Sequence, residues 1–251
     1  MKKLLVSLAC LLSFAAFAQD GKTFSDPHAT TRTLNGSFTA ISVSSGVDLY
    51  LSQGNEESIA VSASDEKYLS RFKTEVVIGT LKIYYDNNGV TWTDHGNRKL
   101  KAWVSFKTLE KLQGSAGASV TMRGILNAGN LDMKFSSGSV FEGQVNAQAV
   151  AVDQNSGSEI SISGKAEKLT IEVSSGALFK GYDMAVEYCD AKATSGADVR
   201  ITINKELNAK ANSGGGIRYK GAALIRDVSV NSGGLVKSGR RGARAGVSSI
   251  A

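Results

Sequence analysis

Leu131-Asp132-Met133-Lys134-Phe135-Ser136-Ser137-Gly138 returns, its pattern kept and its residues changed, as Leu169-Thr170-Ile171-Glu172-Val173-Ser174-Ser175-Gly176. In both stretches apolar and polar residues alternate up to a Ser-Ser-Gly. Alternation with period two marks a half-buried strand, because successive side chains point to opposite faces. The ending recurs as Ser115-Ala116-Gly117, Asn155-Ser156-Gly157, Thr194-Ser195-Gly196, Asn212-Ser213-Gly214 and Asn231-Ser232-Gly233. From Gly117 to Gly233 the glycines are 21, 19, 19, 20, 18 and 19 residues apart. A fixed period near twenty is the signature of a solenoid, in which each repeat is one turn stacked on the last.

A second short strand follows each glycine: Val120 and Met122, Ile160 and Ile162, Val199 to Ile203, Ile217 and Tyr219. A second glycine often closes it, at Gly124, Gly143, Gly164, Gly181 and Gly221. Each coil is therefore read as two strands and two corners, with glycine at corners because it tolerates positive φ. Such a coil cannot bury an apolar face alone. Stacked in parallel at about 4.8 Å, the coils make an all-β fold, a parallel β-helix of about 19–20 residues per coil. It is taken as right-handed, the usual hand of parallel crossovers.

The period names its own columns. Met133, Val152, Ile171, Ala191, Ala209 and Val228 form one inward column, and Phe135, Gln154, Val173, Ala193, Ala211 and Val230 another. The corner serines, Ser137, Ser156, Ser175, Ser195, Ser213 and Ser232, are expected to stack and to satisfy the corner backbone with their hydroxyls. With no histidine beside them, they lack a base to make a nucleophile.

The ends of the 251-residue chain read differently. Residues 1–18 carry Lys2 and Lys3, an apolar run from Leu4 to Phe17 and an Ala16-Phe17-Ala18 cleavage site, the pattern of a secretory signal. Removing it takes two lysines and no acids, so the formal charge falls from +6 to +4. The mature chain keeps one cysteine, Cys189, which allows no internal disulfide and falls in an inward register. No later apolar run is long enough for a transmembrane helix. Residues 19–33 read as a flexible leader, 34–110 as an N-terminal capping part, 111–237 as regular coils and 238–251 as a basic, frayed tail holding Arg240, Arg241 and Arg244. Within the cap, Ser44-Ser45-Gly46 repeats the corner motif. Asp65 to Lys73 has a short helix's spacing, with Asp65 as N-cap.

Leu34-Asn35-Gly36-Ser37-Phe38-Thr39-Ala40-Ile41, Val43-Ser44-Ser45-Gly46-Val47-Asp48-Leu49-Tyr50-Leu51, Gly79-Thr80-Leu81-Lys82-Ile83, Leu109-Glu110-Lys111-Leu112 and the Ser-Gly corners up to Tyr219-Lys220-Gly221 follow one another in a characteristic order and spacing. Through them residues 34 to 237 resemble the putative auto-transporter adhesin, head GIN domain family. It implies a secreted bacterial β-helix placed in the periplasm, on the outer cell surface or outside the cell. It brings no catalytic residues and no agreed ligand.

The residues themselves argue against most chemistry. His28 and His95 are the only histidines, and there is no H-E-x-x-H, no C-x-x-C, no phosphate loop and no calcium-type nonapeptide, so no catalytic, metal or cofactor site is assigned. Outward columns Asp132, Ala151, Thr170, Asp190, Asn208, Asp227 and Lys134, Asp153, Glu172, Lys192, Lys210, Ser229 mix signs as a solvated face does. Two places could bind a ligand. Four residues after the glycines, Lys180, Arg200, Arg218 and Lys237 make a basic stripe that suits an anionic surface polysaccharide or the phosphates of lipopolysaccharide. Between Asp86 and Lys99, Trp92, Asp94 and His95 could stack on a sugar and bond its hydroxyls. Nucleic acid fits poorly with so modest a charge. The expected function is a non-enzymatic, adhesin-like or envelope-associated binding protein. A carbohydrate-active β-helix enzyme and a purely structural envelope component are the alternatives.

Overall fold

The structure, a computed structural model, describes residues 26, 28–88 and 98–239. Its body is a stack of long parallel strands, Ser119–Phe135 (β9), Val140–Gln154 (β10), Glu159–Val173 (β11), Leu178–Ala193 (β12) and Asp198–Ala211 (β13), finished by Gly216–Lys220 (β14), Leu224–Val230 (β15) and Leu235–Ser238 (β16). The registers are those of a β-solenoid. Met133 faces Val152, which faces Ile171, then Ala191, Ala209 and Val228. Phe135, Gln154, Val173, Ala193, Ala211 and Val230 line up the same way. Both inward columns are buried until the last coil, where Val228 and Val230 reach the surface. Cys189 is buried among them.

Each Ser-Gly motif is a tight turn between consecutive strands. Ser137 has φ 53° and Gly138 φ 70°, and Ser139 N–H donates to Ser136 C=O at 3.1 Å. Positive φ at both central residues with this bond defines a type I′ turn. Ser156-Gly157, Ser175-Gly176, Ser195-Gly196, Ser213-Gly214 and Ser232-Gly233 repeat the geometry, as does Ser45-Gly46 in the N-terminal part. The turns join along the axis through backbone: Gly138 N–H donates to Ser156 C=O, Gly157 to Ser175, Gly176 to Ser195 and Gly196 to Ser213, each at 3.1 Å. This corrects the expected hydroxyl ladder. The hydroxyls from Ser137 to Ser232 face solvent and make no hydrogen bond among the described residues. The useful hydroxyls belong to the residue after the glycine. Buried Ser139 donates to Gly114 C=O at 2.8 Å, and buried Ser158 to Phe135 C=O at 3.0 Å.

The second corner differs too. Pairing runs on through Gly143, Gly164 and Gly181 instead of stopping there. What changes is the inward parity. In β12 the buried residues are Phe179 and Gly181, then Met184 and Val186, then Cys189, Ala191 and Ala193. Each three-residue step turns the chain, and the coil-to-coil register slips there: β12 shifts against β13 between Gly181 and Ala185 and again between Val186 and Tyr188. A coil is thus one bent strand and one turn.

The N-terminal part holds a coil of the same kind, out of sequence order. Ala40–Val43 (β2) and Asp48–Gln53 (β3) flank the Ser45-Gly46 turn and pair in parallel with Lys111–Gly114 (β8) and β9. On their other side they pair with Thr80–Tyr85 (β6) and Lys101–Phe106 (β7), which come later in the chain. The excursion between them is antiparallel: Ser58–Ser62 (β4) on β7, and Phe72–Val77 (β5) on β6. Helix α1, Glu66–Leu69, starts at Asp65, whose carboxylate accepts from Lys67 N–H at 3.0 Å. It is shorter than its spacing suggests, because Phe72 is taken into β5 opposite Tyr85. The end of the expected leader is ordered as well. Thr30–Arg32 (β1) pairs antiparallel with β4, closing an edge that would otherwise be unpaired. Arg32 also donates to Leu69 C=O at 2.9 Å.

Candidate functional site

The basic stripe follows from the register. Thr121 faces Glu142, Glu142 faces Ser161, and then come Lys180, Arg200, Arg218 and Lys237 on successive coils. At about 4.8 Å per coil the four cations span about 14 Å. Like charges one strand apart repel, and the chain answers with carboxylates from the neighbouring column. Glu159 pairs with Lys180, while Asp198 takes Arg200 at 2.8 Å and also Arg218. Lys237 has no ion-pair partner among the described residues. Reading one column at a time missed this. The signal was there, since Asp198 stands two residues before Arg200 and so shares its face. The cations are all about half exposed, so these pairs hold the side chains in place more than they stabilise the fold.

Toward the N-terminal end the same column turns aromatic. Thr121 faces Tyr50, and Tyr50 faces Trp103. The two rings stack with centroids 5.8 Å apart, and the Arg123 guanidinium lies 4.7 Å from the Tyr50 centroid. Sequence reading did not single these residues out, although each has the opposite parity to its core neighbours, in Leu49-Tyr50-Leu51 and Ala102-Trp103-Val104; Trp103 is itself buried. The other expected ligand site, Trp92, Asp94 and His95, lies outside the described residues. At the near edge of that loop, Arg98 covers the Tyr85 ring at 4.1 Å and donates to Asn87 at 3.2 Å.

On the other side of the turn, six residues before each glycine, the column Asp132, Ala151, Thr170, Asp190, Asn208, Asp227 is in register as read. Asp190 and Asp227, the acids closest to a catalytic pair, are separated by the coil bearing Asn208. The Asn208 amide donates to Asp190 at 2.7 Å. Lys192 pairs with Glu172 at 3.5 Å, and Lys134 with Asp153 at 4.0 Å. Among the described residues no group of three or more His, Cys, Asp or Glu is placed to hold a metal ion. None of the helices there is long and apolar enough to cross a membrane. Burial in the core pushes the Cys189 thiol far above its ordinary range.

A parallel β-solenoid with charged outer columns and a small antiparallel N-terminal part places the chain among the β-helix proteins. The family model "Putative auto-transporter adhesin, head GIN domain" matches residues 37–223, and the chain belongs to that family. Solved structures share its fold at low identity. An adhesin-titled protein from Bacteroides fragilis superposes with a TM-score of 0.75 at 16% identity, over 85% of this chain and 98% of that one. Another, from Parabacteroides merdae, gives 0.63 at 18%, over 86% and 98%. A protein from Parabacteroides distasonis titled as lipid-binding gives 0.61 at 16%, over 84% and 97%. No curated protein matches the chain significantly in sequence.

Proposed function

We propose that the chain is an exported, non-enzymatic binding module of the adhesin type. It lies in the periplasm, on the cell surface or outside the cell, and holds an anionic surface polymer along its rod. The ligand class is acidic polysaccharide or the phosphates of lipopolysaccharide. The observation that carries this reading is the registered line Lys180, Arg200, Arg218, Lys237, four cations one coil apart, the first three of them held by two carboxylates. A polymer with charges spaced along its length could engage several of them at once, displacing Glu159 and Asp198 and releasing counterions. Export rests on the signal-like residues 1–18 and on family membership.

The test is chromatography of the mature protein on an acidic polysaccharide and on lipopolysaccharide-coated resin. The parent should be retained at low salt and elute as ionic strength rises through physiological values. Arg200→Glu with Arg218→Glu should elute with the void. Retention of that double variant equal to the parent's would remove the stripe from the function.

A further inference from the structure

We infer that the column from Asp132 to Asp227 is the floor of a second binding site, a lateral groove that takes an uncharged polysaccharide chain lying along the solenoid axis. Two cavities open on this face, of about 730 and 500 Å³, and both are lined by Thr170. They meet at that residue, and between them their linings include every member of the column from Asp132 to Asp227. Each half is in the usual size range of a small-ligand site, about 300–1,000 Å³. The column beneath it crosses six coils, about 24 Å, which suits a chain rather than a single sugar.

The groove has a physical origin. Inward parity changes between Val145 and Val150 in β10, between Ala166 and Leu169 in β11, and between Val186 and Cys189 in β12. The wall bends at the same place on successive coils, just before the column. Small residues then line the bend at Gly129, Ala149 and Ala151, leaving room for the apolar face of a sugar ring.

The lining chemistry selects the ligand. Carboxylates at Glu110, Asp132, Glu172, Asp190 and Asp227 stand among ammonium groups at Lys168, Lys192 and Lys210. An anionic polymer would meet those carboxylates, so the groove cannot duplicate the basic stripe. An extended peptide binds a sheet through a free backbone edge, and here the backbone is already paired to the coils on both sides. Interspersed carboxylates, ammoniums, amides and hydroxyls are what a chain of neutral hydroxyls can use as donors and acceptors. Several of these groups are unengaged. Asp132, Lys168, Thr170, Lys210 and Asp227 make no side-chain hydrogen bond or ion pair among the described residues. Asp190 and Asn208 are already fixed to each other at 2.7 Å, a positioned pair in the groove's second half.

Affinity electrophoresis tests the inference, with mannan, laminarin, xyloglucan and amylopectin cast separately into native gels. At least one should retard the parent, at a mobility independent of salt. Ala151→Trp and Thr170→Trp, both at exposed positions on the floor, should abolish the retardation with an unchanged unfolding midpoint. Asp132→Ala, which removes no side-chain hydrogen bond or ion pair among the described residues, should weaken it and serves if either tryptophan variant fails to fold. Arg200→Glu with Arg218→Glu should be retarded like the parent, which separates this site from the stripe. No retardation of the parent by any of the four polymers overturns the inference, and so does retardation that survives Ala151→Trp and Asp132→Ala.

Discussion

Gly215→Ala should cost the protein far more than the change suggests. Gly215 is the buried residue that follows a turn glycine. The same position is Ser139, Ser158, Ala177 and Ala197 in earlier coils, so alanine looks acceptable there from the repeat alone. The geometry says otherwise. A Cβ on Gly215 would lie 2.3 Å from Ala193 O, 2.5 Å from Ala193 C and 2.8 Å from Thr194 N. Ala193 O is also the acceptor of Asn212 N–H at 3.0 Å, one of the bonds that tie this coil to the one before it. Relieving the overlap means pushing the coils apart at the point where that bond holds them. Losing the bond costs about 0.5–1.5 kcal/mol. Backbone displacement by overpacking adds about 1–3 kcal/mol. The lower entropy of an unfolded alanine returns about 0.4–1 kcal/mol. The net is a loss of about 2–3 kcal/mol, or roughly 5–10 °C in Tm for a domain of this size.

Urea and thermal unfolding of the mature protein measure it, with Ala197→Gly as the control one coil earlier. The control loses only a methyl and some backbone restraint, about 1 kcal/mol. Because a solenoid is stabilised coil by coil, the loss should concentrate in β14, β15 and β16, where amide exchange should accelerate before the rest. If Gly215→Ala unfolds within about 0.5 kcal/mol of the parent, below the lower bound of one lost hydrogen bond plus overpacking, the argument from the turn geometry is wrong.

Two further outcomes follow from strain and burial. Ile78 is 98% exposed with φ 49° in the two-residue turn between β5 and β6, a conformation that penalises a β-branched residue and favours asparagine. Ile78→Asn should therefore raise stability by about 1 kcal/mol, seen as a Tm increase of about 2–4 °C; an unchanged or lower Tm would show the turn is not strained. Cys189 is buried and its thiol is held protonated by burial, so the native mature protein should not react with a disulfide reagent at pH 8 and should react fully in denaturant. Prompt labelling without denaturant would take Cys189 out of the core.

The columns were legible because two local demands recur together. A type I′ turn needs two positive φ values, which keeps Ser-Gly or Asn-Ser-Gly in the chain, and a half-buried strand needs alternation, which fixes what stands above what. The register of Met133 with Val152 and of Lys180 with Arg200 follows from counting. Counting fails where those demands lapse. Between Asp48 and Phe106 the chain makes antiparallel pairs that need no Ser-Gly turn, so nothing in the sequence marks that β6 and β7 stack outside β2 and β3. The bends fail for another reason. A three-residue step such as Val186 to Cys189 looks like noise in a period-two pattern, and the groove lies beside it. Ser139 and Ser158 were overlooked because the repeat drew attention to the serine before the glycine, whose role is a backbone conformation that its hydroxyl does not serve.

The two outer surfaces face different competition, and this decides how each can work. On the stripe the like-charge problem is already solved internally: Asp198 holds Arg200 and Arg218, and Glu159 holds Lys180. An anionic partner has to outbid carboxylates fixed within the protein, and each exchange swaps one half-exposed ion pair for another, a gain of at most about 1 kcal/mol. Affinity on the stripe must therefore come from several contacts made at once, and it must fall with salt. In the groove Asp132, Thr170 and Asp227 have no partner among the described residues to displace, so a ligand there competes with water. A neutral chain loses nothing to screening there, but it gains only the small difference between bonds to protein and bonds to water, so it too needs several coils. Both surfaces obtain that multiplicity from the same backbone ladder, which sets side chains one coil apart and leaves the outward residues free to vary in chemistry. Salt then separates them in one molecule: retention on an acidic polymer should vanish as ionic strength rises, while retardation by a neutral one should persist.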